Sequence, residues 1–174
     1  MNKTAFVGLV FVLSFGVVWA GGKDPASGGC SRAGAKQVFQ KAPDFNLPVW
    51  GGGGKILTLS EVSKDRPVLL VFWATWCPTC VSEVRTLNQW QKRYGPLGLK
   101  ILAVSVQESG EKLQRFSEKH TLTYACLLDK SGDVAERYGV DSIPTAVLLA
   151  KGGEILYYGY QLPQDVERLL PVKS

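Results

Sequence analysis

The chain has 174 residues, of which 45% are hydrophobic and 20% are charged, a balance that excludes general disorder and allows one folded domain plus a terminal segment. Its formal net charge is only +5, and no run of five or more basic residues occurs. Composition and charge therefore argue against nucleic-acid binding.

Residues 1–20 differ in kind from the rest of the chain. Lys3 precedes an apolar, uncharged run over residues 5–20 that ends in the small residue Ala20. This pattern is typical of a secretory signal peptide cleaved after Ala20. The alternative is an uncleaved membrane anchor, although the run is slightly short for a span of about 20 residues. In both cases we expect a periplasmic or other extracytoplasmic protein, in a compartment where disulfides persist.

Two segments precede the predicted core of the domain. Residues 21–36 are rich in Gly, Ser, Ala and Lys, which predicts a flexible tether to a domain over residues 37–174. Two prolines bias residues 42–49 toward an extended conformation, and residues 55–59 alternate like a strand. We therefore predict a β-hairpin around the glycine-rich turn at 51–54.

The rest of the domain alternates strands with helices. Residues 67–73 form a continuous apolar run, typical of a central strand buried on both faces. A period of three and four over residues 78–94 predicts a helix, and Asp133 with Glu136 resembles the capping box of a short one. Further strands are predicted at 99–106, 123–128, 145–150 and 154–160, and helices at 112–120, 133–139 and 164–170. This alternation predicts an α/β fold with a central mixed β-sheet flanked by helices.

Cys77 and Cys80 stand where the central strand ends and the long helix begins. The free N–H groups of a first helical turn stabilise a thiolate, so Cys77 is the predicted nucleophile and Cys80, one turn on, can close a disulfide with it. Structural zinc needs four ligands, and Cys30, Cys126 and the single His120 are not spaced as a second ligand pair. We therefore predict thiol–disulfide exchange, with no cofactor and no metal.

Five stretches match a known family. The most specific is Phe-Trp-Ala-Thr-Trp-Cys-Pro-Thr-Cys at residues 72–80, and the others are residues 42–47, Glu83, residues 138–140 and residues 143–145. With these motifs the domain resembles the thioredoxin superfamily, and within it the extracytoplasmic TlpA/ResA-like branch that includes the cytochrome c maturation thioredoxins. The resemblance implies a thioredoxin fold with an N-terminal β-hairpin extension.

The resemblance also implies roles for residues near the cysteines. Pro144 should be cis and pack against the pair, leaving the backbone beside it free to hold a substrate segment; the alternative is an ordinary loop proline. Substrate contacts are expected from Trp76, Pro78, Thr79, Ile143 and Pro144. Glu83 should tune the cysteines, because a carboxylate near a thiol raises the thiol pKa and can accept its proton. The alternative for Glu83 is a surface glutamate.

Two positions depart from the thioredoxin pattern. Val71 stands where cytoplasmic thioredoxins have a buried carboxylate, so Glu83 is the remaining candidate for proton handling at Cys80. Arg85 replaces the proline that usually kinks the helix after the cysteines, which leaves the bend of this helix open.

Cys30 and Cys126 would be exported with the domain. The even cysteine count favours a structural disulfide between them, and two unpaired thiols are the alternative. Closing a loop of about 100 residues is worth about 4–5 kcal/mol in the chain-entropy model.

By the resemblance, the protein is a monomeric reductase of protein disulfides that a membrane thiol–disulfide electron donor recycles. Apocytochrome c is the favoured substrate class, because Pro78-Thr79 occurs in cytochrome c maturation members of the branch. A thiol oxidant or isomerase is one alternative; no histidine between Cys77 and Cys80 stabilises a thiolate, which favours the reductant. A copper or haem chaperone is another, although copper chaperones of this fold need a wider cysteine spacing and a distal histidine, which this sequence lacks.

Overall fold

The computed structural model describes residues 41–169. The predicted signal or anchor at 1–20, the tether at 21–36 and the start of the domain at residue 37 lie outside the described residues, so these boundaries stay predictions. Within residues 41–169, no helix is both long and apolar enough to cross a membrane.

Seven strands and five helices occur within the described residues. In chain order they are β1 (Asn46–Pro48), β2 (Ile56–Thr58), α1 (Leu59–Ser63), β3 (Val68–Trp73), α2 (Pro78–Tyr94), β4 (Lys100–Val106), α3 (Gly110–Ser117), β5 (Ala125–Asp129), α4 (Asp133–Arg137), β6 (Thr145–Leu149), β7 (Ile155–Gly159) and α5 (Val166–Leu169). Every predicted strand and helix that falls within residues 41–169 is present, and α1 is an addition.

Five strands form the main sheet in the order β5-β4-β3-β6-β7. The central strand β3 runs parallel to β4 and antiparallel to β6, while β5 is parallel to β4 and β7 antiparallel to β6. β1 and β2 form a separate antiparallel hairpin. The predicted thioredoxin fold, with its mixed sheet and N-terminal hairpin, is confirmed.

The central strand is buried along its whole length. Leu69, Val71 and Trp73 belong to the hydrophobic cluster that also contains Cys77 and Cys80. Leu70 and Phe72 belong to the cluster on the other face. Side chains alternate between the faces of a strand, so a sheet covered on both faces requires the continuous apolar run seen in the sequence.

The long helix α2 has the bounds that the sequence predicts. Pro78 is its first residue, where proline is tolerated because that N–H would have no helical partner. Val84 and Leu87 are buried and pack in the cluster that contains the cysteines, whereas Arg85 between them is exposed. The helix continues without interruption through Arg85.

The short helix α4 is capped differently from the prediction. Gly132, with φ of 86°, is the N-cap residue, and Asp133 already belongs to the helix. The buried carboxylate of Asp129 at the end of β5 accepts hydrogen bonds from the N–H groups of Val134, over 3.4 Å, and Ala135, over 2.9 Å. The predicted capping box at Asp133 is therefore wrong, because a strand residue supplies the cap.

We expect Asp129→Ala to lower the free energy of unfolding by about 1–2 kcal/mol, because it leaves two N–H groups at the start of α4 without their acceptor. Asp133→Ala, at the exposed first position of the same helix, is the matched control and should cost no more than about 0.5 kcal/mol. Urea unfolding measures both. Equal losses would contradict the cap by Asp129.

Candidate active site

A tight turn joins β3 to α2 and ends in the first cysteine. The N–H of Cys77 donates to the carbonyl of Ala74 over 3.2 Å, which places Thr75 and Trp76 in the middle of the turn. Cys77 is the N-cap residue of α2, and its Sγ accepts a hydrogen bond from the N–H of Cys80 over 3.2 Å. A helix N-terminus stabilises negative charge, so the turn holds Cys77 where a thiolate is favoured.

Cys77 and Cys80 form a disulfide, with their Cα atoms 5.3 Å apart. Only 5% of Cys77 and 2% of Cys80 is exposed. An incoming thiolate can open such a bond through a mixed disulfide, and the second cysteine can close it again. The structure therefore represents the oxidised state of a pair that is able to exchange disulfides.

The loop before β6 faces this pair. The peptide bond between Ile143 and Pro144 is cis, as the resemblance implies. The carbonyl oxygen of Ile143 lies 3.8 Å from Cys77 Sγ. Pro144 is buried and Ile143 half-buried. The expected contact between the proline loop and the cysteine pair is therefore present.

The other three predicted substrate-contact residues form an exposed rim around Cys77. Trp76 is 67% exposed, and Pro78 and Thr79 at the start of α2 are also exposed. An exposed indole beside buried sulfurs offers apolar surface to a partner segment. Together with the proline loop, this rim could hold an extended chain against Cys77.

Glu83 lies on α2 three residues after Cys80 and is half-buried. Its Oε2 is shielded from solvent and has no hydrogen-bond partner in the described part of the chain. Burial raises the pKa of Glu83, and a backbone hydrogen bond from Leu162 offsets part of this rise. Burial also raises the pKa of Tyr124 and of Tyr157, and the charge of Glu83 adds to both shifts. Half-burial and a shielded, unpartnered oxygen do not fit a solvated surface glutamate.

The sequence analysis missed one buried carboxylate, Glu108, which lies just after β4 and is 2% exposed. Its oxygens accept hydrogen bonds from the N–H and the hydroxyl of Thr75, over 2.8 and 2.6 Å, and from the hydroxyl of Ser105, over 3.0 Å. A signal was available, because β4 is parallel to β3 and parallel strands end at the same edge of a sheet. A carboxylate just after β4 therefore had to lie near the residues that follow β3.

The predicted structural disulfide is not tested by the described residues. Cys126 on β5 is buried and forms no disulfide with a cysteine of residues 41–169, and burial raises its pKa to about 12. Its predicted partner Cys30 lies outside the described residues, so the pairing stays a prediction for non-reducing peptide mapping. His120, the remaining candidate ligand, stacks on Phe116 with the ring centroids 4.2 Å apart. Within residues 41–169, no three Cys, His, Asp or Glu side chains cluster closely enough to hold a metal ion.

Comparisons with known proteins agree with this geometry. Residues 38–158 match the sequence profile of the AhpC/TSA family. Over 138 residues the chain is 34% identical to "Thiol-disulfide oxidoreductase ResA" of Geobacillus kaustophilus, covering 78% of each protein. It is 28% identical over 171 residues to the protein of the same name in Bacillus cereus, covering 97% of this chain and 95% of that one. A solved thiol-disulfide oxidoreductase from Bacteroides fragilis is 29% identical, with a TM-score of 0.66 over 75% of this chain and 99% of its own.

In the reduced, folded protein we expect Cys126 to resist alkylation by iodoacetamide at pH 8, because its thiol is buried and its pKa is raised to about 12. Cys77 at the start of α2 should react under the same conditions. Quenched samples analysed by peptide mass spectrometry give the rate at each cysteine, and the urea-unfolded chain is the control. If Cys126 reacts equally fast in the folded and unfolded chains, its burial is contradicted.

Proposed function

The chain belongs to the AhpC/TSA family and is a thiol–disulfide oxidoreductase of the TlpA/ResA-like branch, and we propose that it reduces disulfides of exported proteins through Cys77 and Cys80. The observation behind this proposal is the disulfide at the start of α2, facing the cis-proline loop, with Cys77 Sγ accepting the N–H of Cys80.

The reaction begins with the dithiol form. The Cys77 thiolate attacks one sulfur of the substrate disulfide, forming a mixed disulfide and releasing the other substrate sulfur as a thiolate. The Cys80 thiolate then attacks Cys77 Sγ, which forms the intramolecular disulfide and releases the second substrate thiolate. Two electrons pass to the substrate, so a thiol donor must reduce the protein before the next turnover. The N–H of Cys80 stabilises the Cys77 sulfur whenever it is negatively charged.

Glu83 is the proposed proton acceptor for Cys80. Cys80 is buried and must lose its proton before it attacks. Residues three apart on a helix are neighbours, and Glu83 offers a carboxylate oxygen with no other partner in the described part of the chain. Val71, on the strand beneath the pair, has no ionisable group and cannot serve.

The proposed direction is reduction, because a carboxylate follows the pair on α2 and no histidine lies between the cysteines. A nearby carboxylate disfavours a thiolate, whereas strong oxidants depend on a stabilised thiolate. A measured reduction potential above about −150 mV would reverse the assignment in favour of the alternative oxidant or isomerase.

We also propose that the protein is extracytoplasmic and that apocytochrome c is its substrate. The similarity to the ResA protein of Bacillus cereus extends over 97% of this chain, so it includes most of the apolar run at residues 5–20. The Pro78-Thr79 pair between the cysteines favours apocytochrome c, and a membrane thiol–disulfide carrier is the proposed electron donor. Metal analysis of the reduced protein would separate this function from that of a metal or haem chaperone.

The Cys80→Ala variant tests the reductase function and its substrate together. It can attack a disulfide but cannot resolve the product, so it should accumulate a mixed disulfide with an oxidised Cys-x-x-Cys-His peptide of apocytochrome c. Cys77→Ala is the matched control and should trap nothing, and mass spectrometry detects the adduct.

An oxidised peptide of equal length without the histidine is the second control. If both peptides are trapped equally, the preference for apocytochrome c is refuted while the reductase function stands. If neither peptide is trapped, the reductase function is refuted.

We expect Glu83→Gln to slow the resolving step at neutral pH by about 100-fold, the scale of general base catalysis. In the wild type, part of the rise of this rate with pH follows ionisation of Glu83, whose pKa is raised by burial. The variant should lose that part and keep only the rise that follows ionisation of the Cys80 thiol itself. Stopped-flow fluorescence of the mixed disulfide measures the step. Glu111→Gln, at an exposed position on α3, is the control, and an unchanged pH profile in Glu83→Gln would contradict the role.

The same variant has a predicted effect on stability. Because burial raises the pKa of Glu83 in the folded state, the folded state retains this proton at pH values where the unfolded state has lost it. Wild-type stability therefore falls as the pH rises from the unfolded pKa of a glutamate, about 4.3, through the raised folded value. Glu83→Gln should remove this part of the pH dependence in urea unfolding.

A further inference from the structure

The buried carboxylate of Glu108 contacts the turn that leads to the reactive cysteine. We propose that Glu108 is a positioning residue for disulfide exchange, which holds the turn at residues 74–77 so that Cys77 stays at the start of α2. The proposal rests on exchange at Cys77 and Cys80, but not on the reductive direction or the identity of the substrate.

The contacts of Glu108 converge on one residue of the turn. Its Oε2 accepts the N–H of Thr75 over 2.8 Å, and its Oε1 accepts the Thr75 hydroxyl over 2.6 Å. A two-point contact fixes the backbone and the side chain of Thr75 together. Thr75 is the second residue of the turn that the hydrogen bond from Cys77 to Ala74 closes. Glu108, in the loop after β4, therefore fixes the conformation of this turn.

The three contacts of Glu108 suit a carboxylate side chain. The third partner, the hydroxyl of Ser105, donates to Oε2 over 3.0 Å, so all three groups around Glu108 act as donors. Carboxylate oxygens accept hydrogen bonds and therefore suit this set of donors. Burying a carboxylate is costly, and an apolar residue of similar volume would serve a purely structural core at least as well.

The backbone beside Glu108 provides an independent observation. Gln107 has φ of 55°, a left-handed conformation found at no other non-glycine residue in the described part of the chain. Its N–H donates to the carbonyl of Asp129 over 2.8 Å, which ties the loop to β5. Gln107 is exposed and the next side chain is buried. Unfavourable backbone conformations persist where the surrounding structure determines them, often at functional sites, and this one precedes the carboxylate that contacts the turn.

The position of Cys77 depends on this turn. When the turn is fixed, Cys77 Sγ lies 3.2 Å from the N–H of Cys80 and 3.8 Å from the carbonyl of Ile143. A turn that samples other conformations would move the sulfur away from both. Attack on a disulfide requires aligned sulfur atoms, so the loss of Glu108 should slow the attack rather than alter its products.

The test uses the reduced full chain and the small aromatic disulfide 5,5′-dithiobis(2-nitrobenzoic acid), with the rate constant of mixed-disulfide formation as the readout. Glu108→Gln keeps the shape but removes the negative charge, so the hydrogen bonds with the N–H and hydroxyl of Thr75 and with the hydroxyl of Ser105 are no longer charge-assisted. We expect the rate constant to fall about tenfold, the scale of losing one charge-assisted hydrogen bond. Thr75→Val lacks the hydroxyl, so its rate constant should also fall. Thr75→Ser keeps the hydroxyl and should retain nearly the wild-type rate constant.

The double variant Glu108→Gln with Thr75→Val decides whether Glu108 acts through Thr75. If it does, the double variant is about as slow as Glu108→Gln alone, because Glu108→Gln has already weakened the contact that Thr75→Val removes. Two losses that multiply would overturn the proposal. A lowered melting temperature with an unchanged rate constant below the unfolding transition would also overturn it, because that result indicates a purely structural role.

Two further outcomes separate the alternatives. If Glu108 acted only through its charge, Glu108→Gln would shift the pH midpoint of Cys77 alkylation while Thr75→Val reacted at the wild-type rate, and this pattern would refute positioning. A wild-type chain that does not react with the aromatic disulfide would contradict the proposed function itself. A reactive wild type with an equally fast Glu108→Gln variant would contradict only the role of Glu108.

Discussion

The burial of β3 on both faces is the constraint on which the site depends. All six residues of the strand are buried, and β4 and β6 pair with it on either side, so its end at Trp73 has a fixed place in the molecule. One tight turn then leads to Cys77, the N-cap residue of α2. Because α2 packs through Val84 and Leu87 on the cluster that contains the cysteines, the helix cannot shift without disturbing the core. The buried sheet and the packed helix therefore fix the position of the reactive sulfur.

The acid chemistry of the site is distributed over two elements rather than placed on the central strand. Val71 gives the strand beneath the cysteines an apolar side chain. Glu83 is half-buried on α2, one turn after Cys80, with burial raising its pKa. Glu108 approaches from the loop after β4 and contacts the turn before Cys77. One carboxylate is therefore suited to proton transfer at the second cysteine, and the other to fixing the position of the first.

The features predicted correctly from the sequence are those with a local physical cause. The bounds of α2 follow from its apolar period and its terminal proline and glycine, and β3 follows from a continuous apolar run. The cap of α4 and the role of Glu108 have no such local signal. Asp129 replaces the expected Asp133, and the contact between Glu108 and Thr75 spans 33 positions in sequence. Such contacts depend on which strands are neighbours and where their ends meet. The cis Pro144 was predicted only through the family resemblance.

The low solvent exposure of the two cysteines limits which molecules can react with them. Only 5% of Cys77 is accessible, and the indole of Trp76 and the proline loop stand beside it. A disulfide held inside a rigid globular protein would meet a steric barrier before its sulfur atoms could align with Cys77. A disulfide in an extended, unfolded segment can lie along the rim and cover the exposed indole. Under the proposed function, the flexibility of the chain around a substrate disulfide would limit the reaction before its sequence did. An apolar contact with the exposed indole would be little affected by ionic strength.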